Sequence, residues 1–207
     1  QLPFTTSQDS QTRFSTTASP SIDVTGKWKI AFSPETENEY PAIGVFEQHG
    51  NRAFGTFLTK TGDYRYLEGN VSGDSLMLSC FDGSHVFLFK AKISGDRIEG
   101  KFWSGSHWQE NWVGVRDEEF ELPDPASLTF IKSDYSKLDF SFQNLEGKTV
   151  SLNDETFRNK VVIVQIMGSW CPNCMDETAY LVSLHNKFHK QGLEVVSLAF
   201  EKSDNPE

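Results

Sequence analysis

The sequence predicts a β-rich N-terminal domain, about eight antiparallel strands closed as an up-and-down barrel, followed by an α/β unit. Three observations predict it. A Gly-led turn pair recurs every ten to twelve residues between Gly50 and Ser106. Several of the runs between these pairs alternate apolar and polar residues with the period of two that a half-buried strand requires. After Asp117 the pattern changes to strand, helix, strand, with continuously apolar strands.

The composition fits a globular chain. Of 207 residues 37% are hydrophobic and 13% aromatic, enough to fill a core. With 29 acidic against 19 basic residues the net charge is -10, which gives no electrostatic reason to expect nucleic acid or an anionic membrane as partner. The longest apolar run, 161–167, is interrupted by Gln165 and falls well short of the roughly 18 residues of a membrane span. Residues 1–21 are rich in Ser, Thr and Gln without apolar periodicity and read as a disordered or tether segment. A chain that begins with Gln1 fits a mature protein from which a signal peptide has been removed.

The barrel is expected over 22–118. Gly50-Asn51, Gly62-Asp63, Gly73-Asp74, Gly83-Ser84, Gly95-Asp96 and Gly105-Ser106 each read as a two-residue hairpin loop, because Gly accepts the positive φ of such turns. The runs before, between and after them are GKWKIAF, PAIGVFEQ, RAFGTFLT, YRYLEGNV, SLMLSC, HVFLFKAKI, RIEGKFW and HWQENWVGV. In HVFLFKAKI, Phe87, Phe89, Ala91 and Ile93 share one face, and Lys90 and Lys92 the other. Uncovered antiparallel strands must lose their edges, and a barrel is the simplest closure of a meander; a sandwich is the second choice. Eight strands enclose a space that side chains can just fill, and the many aromatics favour a filled interior over a ligand cavity. Cys80, in register with Leu76 and Leu78, reads as an inert buried thiol. Trp103, His107, Trp108 and Trp112 look exposed and would edge a binding surface or form a barrel end.

Residues 119–137, with two prolines and several acids, read as a linker. LDFSFQNLEGKTVSL gives two short strands around Glu146-Gly147, and NDETFRNK a short helical or turn segment. VVIVQIM is expected to be a central strand buried on both faces. From Cys174 to about Gln191 the positions Met175, Thr178, Leu181, Val182, Leu184 and Phe188 follow a helical spacing, closed by Gly192 as C-cap. LEVVSLAF is the next buried strand, which makes a right-handed βαβ unit.

Cys171 and Cys174 fall where the first of these strands gives way to the helix. Unpaired N–H groups and the macrodipole at a helix start stabilise a thiolate, so Cys171 is the candidate nucleophile. Cys174, one turn on, is placed to attack a mixed disulfide formed on Cys171. Pro172 suits the first turn, where its missing N–H costs nothing. Glu177, three residues after Cys174, is either a proton shuttle for that thiol or a solvated helix acid. His185 and His189 complete a Cys-x2-Cys, His-x3-His pattern. Zinc-finger cysteines sit on a hairpin rather than at the end of a buried parallel strand, so no metal is expected. Met175 stands where a haem attachment site needs a histidine.

VVIVQIMGSWCPNCMDE, with the hairpin before it and the strand after it, resembles the TlpA/redoxin type of thioredoxin-like proteins, while Gly26-x-Trp28 in TGKWKI weakly resembles the opening of lipocalin-like barrels. The first resemblance implies a thioredoxin fold, no cofactor, and thiol-disulfide exchange with Cys171 attacking, Cys174 resolving and Glu177 in the place of the group's active-site Glu. Trp170, Pro172 and Asn173 around the attacking sulfur are then expected to contact substrate. It also implies a bacterial, extracytoplasmic setting, periplasmic or membrane-tethered, with thiol or disulfide proteins as substrates and a redox partner. The peroxiredoxin pattern Pro-x-x-x-Thr-x-x-Cys is absent from the sequence. The family continues past the second strand to a cis-proline segment. Residues 138–207 therefore read as the N-terminal half of such a domain, apparently truncated, with Pro206 too early to be that proline and the exposed strand edges open to dimerisation. The rival reading is a lipocalin-like binding module whose redoxin unit is structural or vestigial.

Overall fold

The computed structural model describes residues 14–83 and 85–201, in two compact units, Gln1–Leu128 and Thr129–Glu207. In the first unit, β1 (Gly26–Phe32), β2 (Tyr40–His49), β3 (Arg52–Thr59), β4 (Gly62–Asp63), β5 (Leu67–Ser72), β6 (Ser75–Phe81), β7 (Val86–Ser94), β8 (Arg97–Ser104) and β9 (Trp108–Arg116) form one antiparallel sheet. Apart from the two-residue β4, each strand pairs with the next in sequence, and β1 pairs with β9. The sheet is thus a closed eight-stranded up-and-down barrel, and no long strand is left with a free edge.

The hairpins follow the Gly pairs at three positions. His49 pairs with Arg52, Ser72 with Ser75 and Ser94 with Arg97, which leaves Gly50-Asn51, Gly73-Asp74 and Gly95-Asp96 as two-residue loops. The glycines have φ of 62°, 58° and 60°, as a tight hairpin turn with Gly first requires. The other three differ. Thr59 pairs with Gly62, so the turn is Lys60-Thr61 and Gly62-Asp63 is strand. Ser104 pairs with Trp108 across a three-residue loop, and Phe81 with Val86 across a four-residue one, whose Ser84 lies outside the described residues.

Side chains fill the interior. Trp28, Phe32, Phe57, Phe89 and Trp112 are fully buried, and Phe102 nearly so. Phe57 stacks on Phe89 with ring centroids 4.6 Å apart, and Phe89 on Phe102 at 4.4 Å; such pairs add roughly 1 kcal/mol each beyond the area they bury. Trp112 thereby corrects the expectation of an exposed tryptophan cluster. It shares the inward parity of Glu110 and Gly114 on β9, whereas Trp108 at the strand's start is half exposed. Cys80 is half-buried and packs beside the core with Leu76 and Leu78. Near one end of the barrel the buried Glu110 carboxylate accepts hydrogen bonds from Ser33 (2.6 Å), Tyr40 (2.9 Å) and Trp108 (3.1 Å), and Tyr40 also bonds Tyr64 (2.8 Å).

Trp28, of the Gly-x-Trp motif, donates its Nε1 to the Val24 carbonyl (2.9 Å) and lies under the Arg116 guanidinium, 4.4 Å from the ring centroid. Arg116 in turn binds the carbonyls of Thr25 and Asp23. Of the expected tether, residues 1–13 lie outside the described residues. Phe14, Thr17 and Ala18 donate backbone N–H groups to Asn70 and Ser72, and Ser21 to Gly73, so the rest of that segment lies along β5. Within the expected linker, Pro125–Leu128 forms a one-turn helix, α1, started by the Asp124 side chain accepting from the Ala126 N–H.

In the second unit β10 (Ser141–Gln143) and β11 (Thr149–Ser151) form a hairpin, followed by a 3-10 turn at Glu155–Phe157. Then β12 (Val161–Met167), α2 (Pro172–Phe188), a 3-10 turn at His189–Gln191 and β13 (Leu193–Ala199) make the parallel βαβ unit, with Val161 opposite Leu193 and Met167 opposite Ala199. Gly192, at φ 93°, caps the helical segment. The expectation that β12 is buried on both faces is corrected. One helix covers one face of a two-stranded sheet, so Gln165, which faces α2, is 5% exposed while its neighbour Ile166, on the other face, is 76% exposed. No helix among the described residues is long and apolar enough to cross a membrane.

Candidate active site

Cys171 is the N-cap of α2 and Pro172 its first residue, two positions earlier than the helical spacing alone suggests. The chain reaches Cys171 from β12 through Gly168, Ser169 and Trp170, and that turn is latched to the end of β13. Ser169 donates its N–H and its hydroxyl to the Glu201 carboxylate, both at 2.8 Å. Trp170 donates Nε1 to the Phe200 carbonyl at 3.0 Å, and Phe200 donates its N–H to Met167 at 2.7 Å. The indole lies so close over Gly168 that a Cβ there would meet its Nε1 and Cε2.

Cys171 and Cys174 are joined as a disulfide with Cα atoms 5.2 Å apart, a separation that requires no backbone distortion. Cys171 Sγ also accepts the Cys174 backbone N–H at 3.3 Å. This sulfur therefore sits among the unpaired donors of the helix start, and on reduction the same N–H and the macrodipole favour its thiolate. Both cysteines, Pro172 and Asn173 are half-buried, and Trp170 is 42% exposed beside them.

Glu177 is joined to the pair by a residue that the apolar pattern of β12 conceals. Gln165 Nε2 donates to Glu177 Oε2 at 2.9 Å and to the Cys174 carbonyl at 3.3 Å. Its Oε1 accepts from the Thr178 hydroxyl at 3.1 Å and the Ser197 hydroxyl at 3.0 Å. A buried amide with both ends satisfied fixes the carboxylate against the first turn of the helix, although Glu177 itself is exposed. The signal available in the sequence was the single polar residue in an otherwise apolar strand.

The Cys-Cys-His-His grouping does not form. His185 lies fourteen residues beyond Cys171, a rise of about 20 Å along α2, so the four side chains cannot share an ion.

Residues 136–206 match the family model described as the AhpC/TSA family. The C-terminal unit carries a redoxin-type, thioredoxin-like segment. Among curated proteins it is similar to "Thiol-disulfide oxidoreductase ResA" of Bacillus thuringiensis subsp. konkukian, 34% identical over 65 residues, covering 31% of this chain and 36% of the relative. The protein of the same name from Geobacillus thermodenitrificans is 35% identical over 60 residues, covering 29% of this chain and 33% of the relative. That of Bacillus subtilis is 30% identical over 59 residues, covering 28% and 32%. The chain thus spans about a third of the length of the curated relatives it matches.

Proposed function

We propose that this chain belongs to a thiol-disulfide oxidoreductase that works through the Cys171–Cys174 pair. The observation that carries the reading is a disulfide whose first sulfur caps a helix, at the end of a parallel strand, inside a redoxin-type segment. In the reducing direction the Cys171 thiolate attacks one sulfur of a substrate disulfide, and the other sulfur leaves as a thiolate. Cys174, after losing its proton, attacks the Cys171 sulfur of the mixed disulfide. The intramolecular disulfide forms, the second substrate thiolate leaves, and two electrons have passed to the substrate. Run backwards, the closed pair oxidises a dithiol.

Glu177 is the proton acceptor for Cys174 in this reading, held near it through Gln165. Trp170, Pro172 and Asn173 border the attacking sulfur and take the substrate's flanking surface. Substrates are protein or small thiols and disulfides, with a separate redox partner to reset the pair. Such chemistry finds its substrates outside the cytoplasm, so a periplasmic or membrane-tethered bacterial setting fits it. The exposed apolar face and edges of β12 and β13 offer a pairing surface to a second copy, which sedimentation over a range of concentrations tests. The rival reading, a ligand-binding barrel, is disfavoured by an interior filled by Phe32, Phe57, Phe89 and Trp112.

Alkylation of the reduced chain at graded pH tests the proposal. Cys171 should react with a midpoint clearly below the ordinary thiol value of about 8.5. A reduced Cys174→Ser chain should accumulate a mixed disulfide with a model disulfide substrate, one substrate sulfur leaving as the thiolate. An ordinary Cys171 that forms no mixed disulfide would overturn the reading.

A further inference from the structure

The two histidines of the broken zinc-finger pattern meet a different ligand. His185, in the last turn of α2, and His189, in the 3-10 turn after it, lie one turn apart with ring centroids 4.7 Å from each other. Both face Glu194 at the start of β13. His185 Nε2 is 3.3 Å from Glu194 Oε2, and His189 Nδ1 is 3.4 Å from Glu194 Oε1. One ligand atom from each of the three residues falls within 4.8 Å of the others.

We propose that His185, His189 and Glu194 form a binding site for one divalent transition-metal ion of the Zn2+ type, separate from the cysteine pair. Zinc bonds of roughly 2.0–2.1 Å in a tetrahedron place neighbouring ligand atoms about 3.4 Å apart; each imidazole nitrogen lies at about that distance from its own Glu194 oxygen, so the carboxylate needs only to turn one oxygen toward both nitrogens. Two imidazoles with one carboxylate select a transition metal over Mg2+ or Ca2+, which prefer all-oxygen sites. The side chain of Glu194 is 13% exposed, while His185 and His189 are 35% and 52% exposed, so water can reach the open fourth position. Each imidazole would bind as the tautomer whose ring N–H is on the nitrogen facing away from the carboxylate, which leaves the lone pair of the other nitrogen for the metal.

Lys160 is the built-in competitor. Its ammonium holds Glu194 Oε1 at 2.6 Å and must swing away for that oxygen to serve as ligand. A bound ion would tie the end of α2 to the start of β13 across Gly192, closing the return of the βαβ unit.

The test uses the full chain with the Cys171–Cys174 disulfide closed, so that neither thiolate can coordinate, titrated with Zn2+ by calorimetry and with Co2+ by visible absorption. One saturable equivalent of Zn2+ is expected, with a tetrahedral Co2+ spectrum. Loss of an outer-shell partner already weakens metal sites by about tenfold or more, so His185→Ala, His189→Ala and Glu194→Gln should each lower affinity by at least that factor. Lys160→Met should raise it severalfold. Far-UV circular dichroism of each variant checks that the fold is kept, and the half-exposed His189 provides the mildest substitution. No saturable uptake, or uptake unchanged in the His185→Ala/His189→Ala double variant, overturns the proposal. Neither result bears on cysteine exchange, which alkylation reads separately.

Discussion

The buried amide of Gln165 donates to the Glu177 carboxylate at 2.9 Å and, from the same nitrogen, to the backbone carbonyl of Cys174. A residue in a strand thus couples the acid on the helix to the second cysteine. Replacing Gln165 by Leu keeps the volume and removes all four bonds, leaving the Thr178 and Ser197 hydroxyls without this acceptor. The expected outcome is a loss of about 1–3 kcal/mol in a denaturant melt of the second unit. The mixed disulfide on Cys171 should also persist longer in a quenched exchange reaction, because Glu177 is no longer held.

Glu177→Gln removes the proposed proton acceptor and keeps the shape. Resolution by Cys174 should slow by up to about a hundredfold, the lower end for general-base assistance, because exposed Glu177 competes with water. Alkylation of Cys171 should be unchanged. Stopped-flow exchange with a fluorescent disulfide, followed across pH, separates the two steps, and equal slowing of both would count against the assigned role.

In the barrel, Trp28→Ala should cost about 3–5 kcal/mol, since a fully buried indole leaves a cavity that strands cannot close. Arg116→Met keeps the strand and removes the cation over that ring, its carbonyl contacts and its ion pair with the exposed Asp96, for a loss nearer 1–2 kcal/mol. Urea unfolding followed by tryptophan fluorescence measures both.

Alkali should weaken the barrel through its two buried tyrosines, Tyr40 and Tyr64. Tyr64 is pushed up to about 12 by burial, with Glu110 adding to the shift and the Tyr40 hydrogen bond opposing it. Burial also raises Tyr40, reinforced by its bonds to Tyr64 and Glu110. An unfolded tyrosine ionises near 10, so above that pH the folded state holds protons that the unfolded state has lost. The stabilisation is complete below about pH 10 and is lost as pH rises through about 12, with Tyr64 contributing about 3 kcal/mol. Urea midpoints at stepped alkaline pH should fall over this window, and Tyr64→Phe should flatten the fall.

The barrel was legible because its information is local. Gly73-Asp74 and Gly95-Asp96 announce their own turns, and the alternation in β7 sets which face enters the core. Gly62-Asp63 misled because a Gly-Asp pair serves equally in the short strand beside a turn, and Trp112 because parity in β9 had to be counted from inward residues. In the second unit the cysteines and helix were readable from spacing. Gln165 stood out only as the one amide in an apolar run, and its four partners are supplied by tertiary structure. The meeting of His185 and His189 with Glu194 was not readable, since it depends on the tight return at Gly192.

The seam between β1 and β9 has a mechanical meaning. Trp28 pairs with Arg116 and Phe32 with Trp112, so the chain enters and leaves the barrel side by side. Tension applied between the segment before Gly26 and the segment after Arg116 therefore loads one end of the seam and opens its hydrogen bonds in succession rather than all at once. The Arg116 contacts to Thr25 and Asp23 sit at that loaded end, where they act as the catch on a zipper.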